Sequence, residues 1–282
     1  MNSAIVNSIM ARCLLEPVFL REMARDRSAA LDRYPLDERT HSDFLKLDVD
    51  RLRSFAGFIT KVQHNYLWET FPCTRALLIA YGIEIEMFAS YRDTQQWILA
   101  QGQRTQTEKT EQLVKFLKAY LESRKVQCPG LLDVLAHEQI IWELEICILE
   151  KPRSDSEVNA SSLRSQRFEK LVPAIRGTLK THDFVHDPSK IASGLAIGNF
   201  KLHQIAKSRR RLSYWADVQV GQVRIVELDP LALILLSEVN GKRSIRTIIR
   251  RASAKMELGL RPSHLKSFFE SALQQGLLTL SR

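Results

Sequence analysis

Cysteine is scarce in this chain. Only Cys13, Cys73, Cys128 and Cys147 occur among its 282 residues. They stand far apart and form no C-x-x-C pair. That spacing argues against a zinc knuckle or a disulfide framework and suits a reducing compartment. Long apolar runs are missing as well. Arg12, Glu16, Arg21 and Glu22 interrupt the N-terminal stretch before a signal-peptide core can form. No run approaches the roughly 20 apolar residues of a membrane span. These absences predict a soluble cytoplasmic protein with no membrane partner.

Catalytic signatures are equally thin. His137-Glu138 opens like the metalloprotease helix motif H-E-x-x-H, but Ile141 stands where the second histidine belongs. His182 and His186 are spaced i, i+4 beside Asp183 and Asp187, a pattern that polar loops produce by chance. There is no G-x-S-x-G elbow for a nucleophilic serine. The run from Gly194 to Gly198 lacks the third glycine and the strand–turn–helix context of a phosphate loop. The expectation is a chain that is not an enzyme on its own, with no catalytic residue, no metal and no cofactor.

What the sequence does have is core and charge. Its hydrophobic content is 45% and its net charge is +9. Residues 1–150 hold 18 Lys+Arg against 21 Asp+Glu, whereas residues 151–282 hold 23 against 11. The basic character therefore lies wholly in the C-terminal part, which predicts an anionic partner: nucleic acid, or an acidic peptide or protein.

The chain reads as an α+β protein. Residues 1–150 form an all-helical domain, in which residues 42–64 place Phe44, Leu47, Leu52, Phe55, Phe58, Ile59 and Val62 on a broad apolar face. Pro72 breaks the helix before it, Thr74 is a candidate cap for the next, and Thr107 and Thr110 are candidate caps for a later one. Residues 151–165 are polar and serine-rich, as in a linker. Residues 166–198 resist assignment, although Leu171, Val172, Ile175 and Leu179 fit a short helix.

From residue 199 the period changes. Leu212, Tyr214, Ala216, Val218 and Val220 alternate with polar neighbours, which predicts a half-buried strand. Gly221 turns the chain into a partner strand over residues 223–228, and a further strand is expected near residues 200–205. Asp229 then stands as N-cap with Pro230 at the first helical position. Gly241 supplies a left-handed stop and Ser244 caps a second helix. A third runs from Ser263 to Gly276. Residues 199–282 thus read as a small winged-helix-like domain: a three-stranded antiparallel sheet plus three helices.

Two resemblances add to this. The pattern V-x-I-V-x-L-D-P-L-A from Val223, with V-N-G-K-R-S from Val239 and F-F-x-x-A-L-x-x-G-L-L from Phe268, resembles the PqqD-like peptide recognition element of ribosomal-peptide modification. The resemblance covers residues 199–282. It implies that a leader peptide adds as a strand at Arg224, Ile225, Val226 and Glu227 and lies in a groove lined by Leu265, Lys266 and Phe269. Apart from the resemblance, the basic residues near the sheet edge and on the second helix, Arg246 and Arg250 among them, suit an added peptide strand whose acidic side chains they would grip.

In the helical half, Tyr66-Leu67-x-x-Thr70-Phe71-Pro72, Thr107-Glu108-Lys109 and the run from Pro129 to Glu138 (PGLLDVLAHE) resemble another set. These are accessory partner proteins of multinuclear non-haem iron oxidative enzymes, the methanobactin and 3-thiaglutamate pathway partners, with the second type the nearer. The resemblance implies a TIM-barrel iron enzyme as partner, bound through Phe71, Pro72, Asp133, His137 and Glu138. The iron would sit in that enzyme, and a precursor peptide would be the substrate. Nucleic acid would then be no partner. The alternative from another class is a DNA-binding transcriptional regulator with a winged-helix C-terminal domain.

Overall fold

The structure is a computed structural model that describes residues 3–65, 67–102, 105–125, 127–150, 168–197, 200–257 and 259–281. It is a mixed helix-and-sheet protein with a mostly helical N-terminal region and a small antiparallel sheet. Tyr66 and the expected linker at 151–165 lie outside the described residues. Among the described residues no single helix is long and apolar enough to cross a membrane. The chain divides into two compact units, residues 1–135 with 189–206, and residues 136–188 with 207–282. These breaks fall elsewhere than the expected boundaries at 150 and 199.

The first unit contains α1 (Ser3–Leu15), α2 (Pro17–Arg25), α3 (Arg27–Leu31), α4 (Glu38–Leu45), α5 (Val49–Gln63), α6 (Leu67–Thr70), α7 (Pro72–Ala80), α8 (Glu84–Arg92), α9 (Gln95–Gly102) and α10 (Gln106–Glu122). It also holds the first turn of α11 (Leu131–Glu150). Aspartates start several of these helices, with Asp26, Asp37 and Asp48 each accepting a backbone N–H at an N-terminus. One core gathers Ile9, Cys13, Phe19, Leu20, Met23, Leu31 and Phe44. Thr74 lies inside α7 rather than capping it, since Pro72 already occupies the first turn and Phe71 the cap position. Neither Thr107 nor Thr110 caps α10; Thr105 does, in a capping box with Glu108.

The apolar face expected on α5 is also displaced. Phe55, Phe58 and Val62 are exposed, while Ala56, Gly57 and Thr60 are buried. The missing side chain at Gly57 explains the rotation. A Cβ there would come within 2.9 Å of Ala89 Cβ and of the Ile85 carbonyl oxygen, so α8 approaches along that line.

The second unit is built on a three-stranded antiparallel sheet in the order β2-β3-β4. It comprises β1 (Val172–Ile175), β2 (Leu179–Phe184), β3 (Arg210–Asp217), β4 (Gln222–Val226), α13 (Pro230–Glu238), α14 (Ile245–Met256), α15 (Pro262–Gln274) and β5 (Leu278–Ser281). Helix α12 (Pro188–Ala196) belongs to the first unit. Two expectations fail here. Residues 171–179 form no helix: β1 pairs with β5 in a separate two-stranded sheet, and Gly177 at φ +82° carries the chain into β2. Only glycine fits that turn, because a Cβ would lie 2.3 Å from the Ala216 carbonyl oxygen. The third strand of the main sheet is β2, not residues 200–205, where Leu202–Gln204 forms a short 3₁₀ turn.

Strand β3 is buried on both faces, not half-buried as its alternation predicts. Leu212, Tyr214 and Ala216 pack with Leu144 and Phe184 and are flanked by Ile140, Ile141 and Ile148 of α11. Trp215, from the opposite face, joins Leu235, Ile248, Phe269 and Leu278 in the larger core of α13–α15 and β5. The polar members of that face, Ser213 and Asp217, are buried with it. Helix layers on both sides explain why alternating polarity does not mark a wet face here.

Candidate functional site

The sheet ends in an open strand. Ala216 N–H donates to the Thr178 carbonyl on the β2 side. Because main-chain direction alternates along an antiparallel strand, Ser213, Trp215 and Asp217 turn theirs toward Val226, Arg224 and Gln222 of β4. On β4 the N–H and C=O groups of Val223 and Ile225 therefore point outward, away from β3. Strand β4 has no second neighbour among the described residues.

Beside this edge lies a groove of about 380 Å³. Its floor is Trp215, Leu228 and Leu277, its far wall is Phe268, Ser271, Ala272 and Gln275 of α15, and its near rim is Val226, Glu227 and Asp229. Asp229 sits there because it caps α13, accepting from Ala232 N–H at 2.7 Å. Phe268 is turned outward by one position from Phe269, which is fully buried in the core. A second groove of about 460 Å³ opens at the other edge of the sheet, between β2 and the C-terminal half of α13.

Several expected peptide contacts fall elsewhere. Leu265 and Phe269 do not line the groove but pack inside the core, and the wall facing the groove is the next row of α15. Lys266 lies 3.8 Å from Glu270 on the same helix. Arg224 is held at 2.9 Å by buried Asp217, its guanidinium 5.5 Å from the centre of the Trp215 ring. Arg246 pairs with Glu169 at 2.6 Å. Arg250 is exposed on α14. Ile225, Val226 and Glu227 are at the open edge or groove rim.

The expected partner-facing residues divide in the same way. Phe71, His137 and Glu138 are buried within the chain, which corrects the expectation that their side chains form an outer surface. Pro72 is exposed and Asp133 partly so.

Two polar clusters were not legible in the sequence. Glu238, at the end of apolar α13, is 3% exposed and holds Arg243, Arg251 and Lys255 at 2.7, 2.6 and 2.5 Å. The hydrogen bonds from Lys255 and Arg251 hold its carboxyl below the usual range. Its only sequence signal is a single acid in a stretch dense with cations. The second cluster links sheet and helix. Arg210 pairs with Asp187, itself 4% exposed, at 3.5 Å and also with Glu227 at the groove rim. The His182 ring is tilted by 55° against that of Phe184, with ring centres 4.5 Å apart. Among the described residues no group of three His, Cys, Asp or Glu side chains is placed to hold a metal ion.

No protein-family model matches the chain, and no curated protein matches it.

Proposed function

We propose that this chain is a non-catalytic subunit that binds the leader of a ribosomally made precursor peptide. It would present the peptide's cysteine to a TIM-barrel, multinuclear non-haem iron oxidase. The observation that carries the reading is the open edge of β4 lying along a groove walled by α15. Outward main-chain groups at Val223 and Ile225 give an extended peptide its hydrogen bonds, and the groove gives its side chains pockets, which is the requirement for strand addition. The order of three antiparallel strands followed by α13, α14 and α15 is compatible with the winged-helix-like, PqqD-like arrangement that the sequence resembles.

The function follows from that geometry. A bound leader tethers the rest of the precursor, raising the effective concentration of the cysteine at the partner's iron site without any new contact there. The helical unit supplies the surface for the enzyme, and the iron and the oxidative chemistry belong to the enzyme. The reading is of a cytoplasmic heteromeric complex.

A DNA-binding regulator is the weaker reading. The basic residues that would serve phosphates are largely engaged inside the chain: Arg224 on Asp217, Arg246 on Glu169, and Arg243, Arg251 and Lys255 on Glu238. The test is co-expression with a multinuclear non-haem iron TIM-barrel enzyme from the same genome. A tag on this chain is pulled, and iron and nucleic acid are assayed in the eluate. A stoichiometric complex whose iron follows the enzyme supports the proposal. A chain that elutes alone with salt-resistant duplex DNA overturns it.

A further inference from the structure

Net charge predicts an anionic partner, nucleic acid or an acidic peptide or protein, yet the charged residues that line the groove are acidic. Among the described residues its charged lining residues are Glu227 and Asp229, and no lysine or arginine lines it. Everything else on its walls is apolar or neutral: Trp215, Val226, Leu228, Ala232, Phe268, Ser271, Ala272, Gln275 and Leu277. We infer that the peptide segment seated in this groove carries an apolar anchor beside a lysine or arginine, and not an acidic residue. This rests on the peptide-binding reading and adds the chemistry of the ligand.

The carboxylates are available for such a contact. Glu227 is more than half exposed and is held by Arg210, which at the same time holds Asp187 inside the fold. If a peptide cation takes Glu227, Arg210 keeps its buried partner, so no charge is left unpaired in the interior. That exchange avoids the large cost of orphaning a buried ion. Asp229 spends one oxygen, Oδ1, on the α13 cap. Its second oxygen has no hydrogen bond among the described residues, and Asp229 itself lines the groove. The cations nearest in sequence do not compete for an acidic ligand at this place. Arg224 is fixed on Asp217 over Trp215, and Arg251 and Lys255 of α14 converge on Glu238.

The apolar half of the signal comes from Phe268, Leu228 and Leu277. A large aliphatic or aromatic side chain projecting from a strand added to β4 meets these residues. Side chains along such a strand alternate between faces, so an anchor and a cation that both meet the groove are two positions apart and flank a residue directed away.

The experiment is selection of a displayed library of random linear peptides on the full-length chain, wild type and E227K in parallel. The best wild-type peptide is then titrated against wild type, E227Q and E227K by fluorescence anisotropy, with circular dichroism confirming that each variant is folded. Wild-type binders should be enriched for Lys or Arg two positions from Leu, Ile or Phe. E227Q should weaken binding about two- to fivefold, the worth of one exposed ion pair, and added salt should erase the difference. E227K should shift selection to Asp or Glu at that position while keeping the apolar anchor. Enrichment of acidic residues on the wild type, or the same cation preference on E227K, overturns the charge assignment and leaves peptide binding standing. Failure to enrich any peptide on a folded wild-type chain overturns both.

Discussion

Nδ1 of His137 lies 2.6 Å from the hydroxyl oxygen of Tyr214, joining the body of α11 to the central strand of the C-terminal unit. Both side chains are buried, Tyr214 completely. Burial pushes the His137 pKa down, with the charge of Asp187 opposing it, and pushes the Tyr214 hydroxyl pKa up. The pair is therefore neutral in the folded protein, in an environment that also contains the apolar Phe184 ring.

That relationship sets a pH dependence. The unfolded chain binds a proton at His137 near the ordinary histidine value of about 6.5, whereas the folded chain binds it only at lower pH. Between those two values the unfolded state carries more protons, so stability falls as pH drops through the window and is constant above it. His64, buried beside Phe88, Tyr91 and Trp97, has its pKa lowered by burial and contributes in the same direction. Denaturant titrations from pH 8 to about pH 5 should show stability declining below about 6.5. H137Q should reduce the slope and leave the part due to His64. An unchanged slope in H137Q would show that His137 is not excluded from protonation in the fold.

A second prediction concerns Glu238. It is the common anion for Arg243, Arg251 and Lys255, and it is the one charged residue of a mostly Leu, Ile and Ala helix, at its C-terminal end. E238Q keeps the shape but leaves three cations facing one another without their shared charge. The melting temperature should fall, and the loss should be smaller at high salt, where repulsion among the exposed ends of the cations is screened. Because the folded carboxyl is held below its unfolded pKa, the wild type should also lose stability as pH falls below about 4.3. E238Q should lack that component. A variant as stable as wild type at low salt would mean that the cations are satisfied by solvent alone.

Much of the C-terminal unit can be read from residues that act locally. Asp229, Pro230, Gly241 and Ser244 do what their chemistry dictates, since caps and left-handed stops need only neighbours within a few positions. What could not be read depends on distant partners. Trp215 and Ser213 look like the polar-leaning face of a strand until α13–α15 are laid on it. The residues after Leu171 satisfy a helical spacing, and it is the pairing of β1 with β5, over a hundred residues away, that makes them a strand. The charge of the groove is hidden from the sequence for the same reason. Composition counts the arginines of residues 151–282, but it does not show that Asp217, Glu169 and Glu238 already occupy many of them.

The helical unit offers a test in which two effects of opposite sign compete. G57A gains helix propensity, worth up to about 1 kcal/mol in an exposed helix interior. It also places a methyl within 2.9 Å of Ala89 N, Ala89 Cβ and Ile85 O, two of which are backbone atoms that cannot swing away. Overpacking of this kind costs about 1–3 kcal/mol, so the clash should win and α5 and α8 should be forced apart. Urea unfolding should show a net destabilisation of G57A. A stabilised variant would mean that the helices can separate at little cost.

Adjacent phenylalanines on α15 separate the groove from the core. Phe268 stands on the groove wall and is partly exposed, while Phe269, with ring centres 5.2 Å apart from it, is fully buried. F269A removes a ring from the centre of a packed cluster, and losses of about 3–5 kcal/mol are usual for that change. F268A removes a ring that lines the wall and packs at the margin of that cluster. It should lower the melting temperature less than F269A does and weaken a selected peptide about tenfold, as loss of an aromatic anchor does. The peptide should bind whatever fraction of F269A remains folded with nearly wild-type affinity, since Phe269 does not reach the groove. If instead F268A binds as tightly as wild type, the peptide does not sit against α15. The wider groove at the β2 edge, lined by Leu179, Thr181 and Leu236, then becomes the place to mutate.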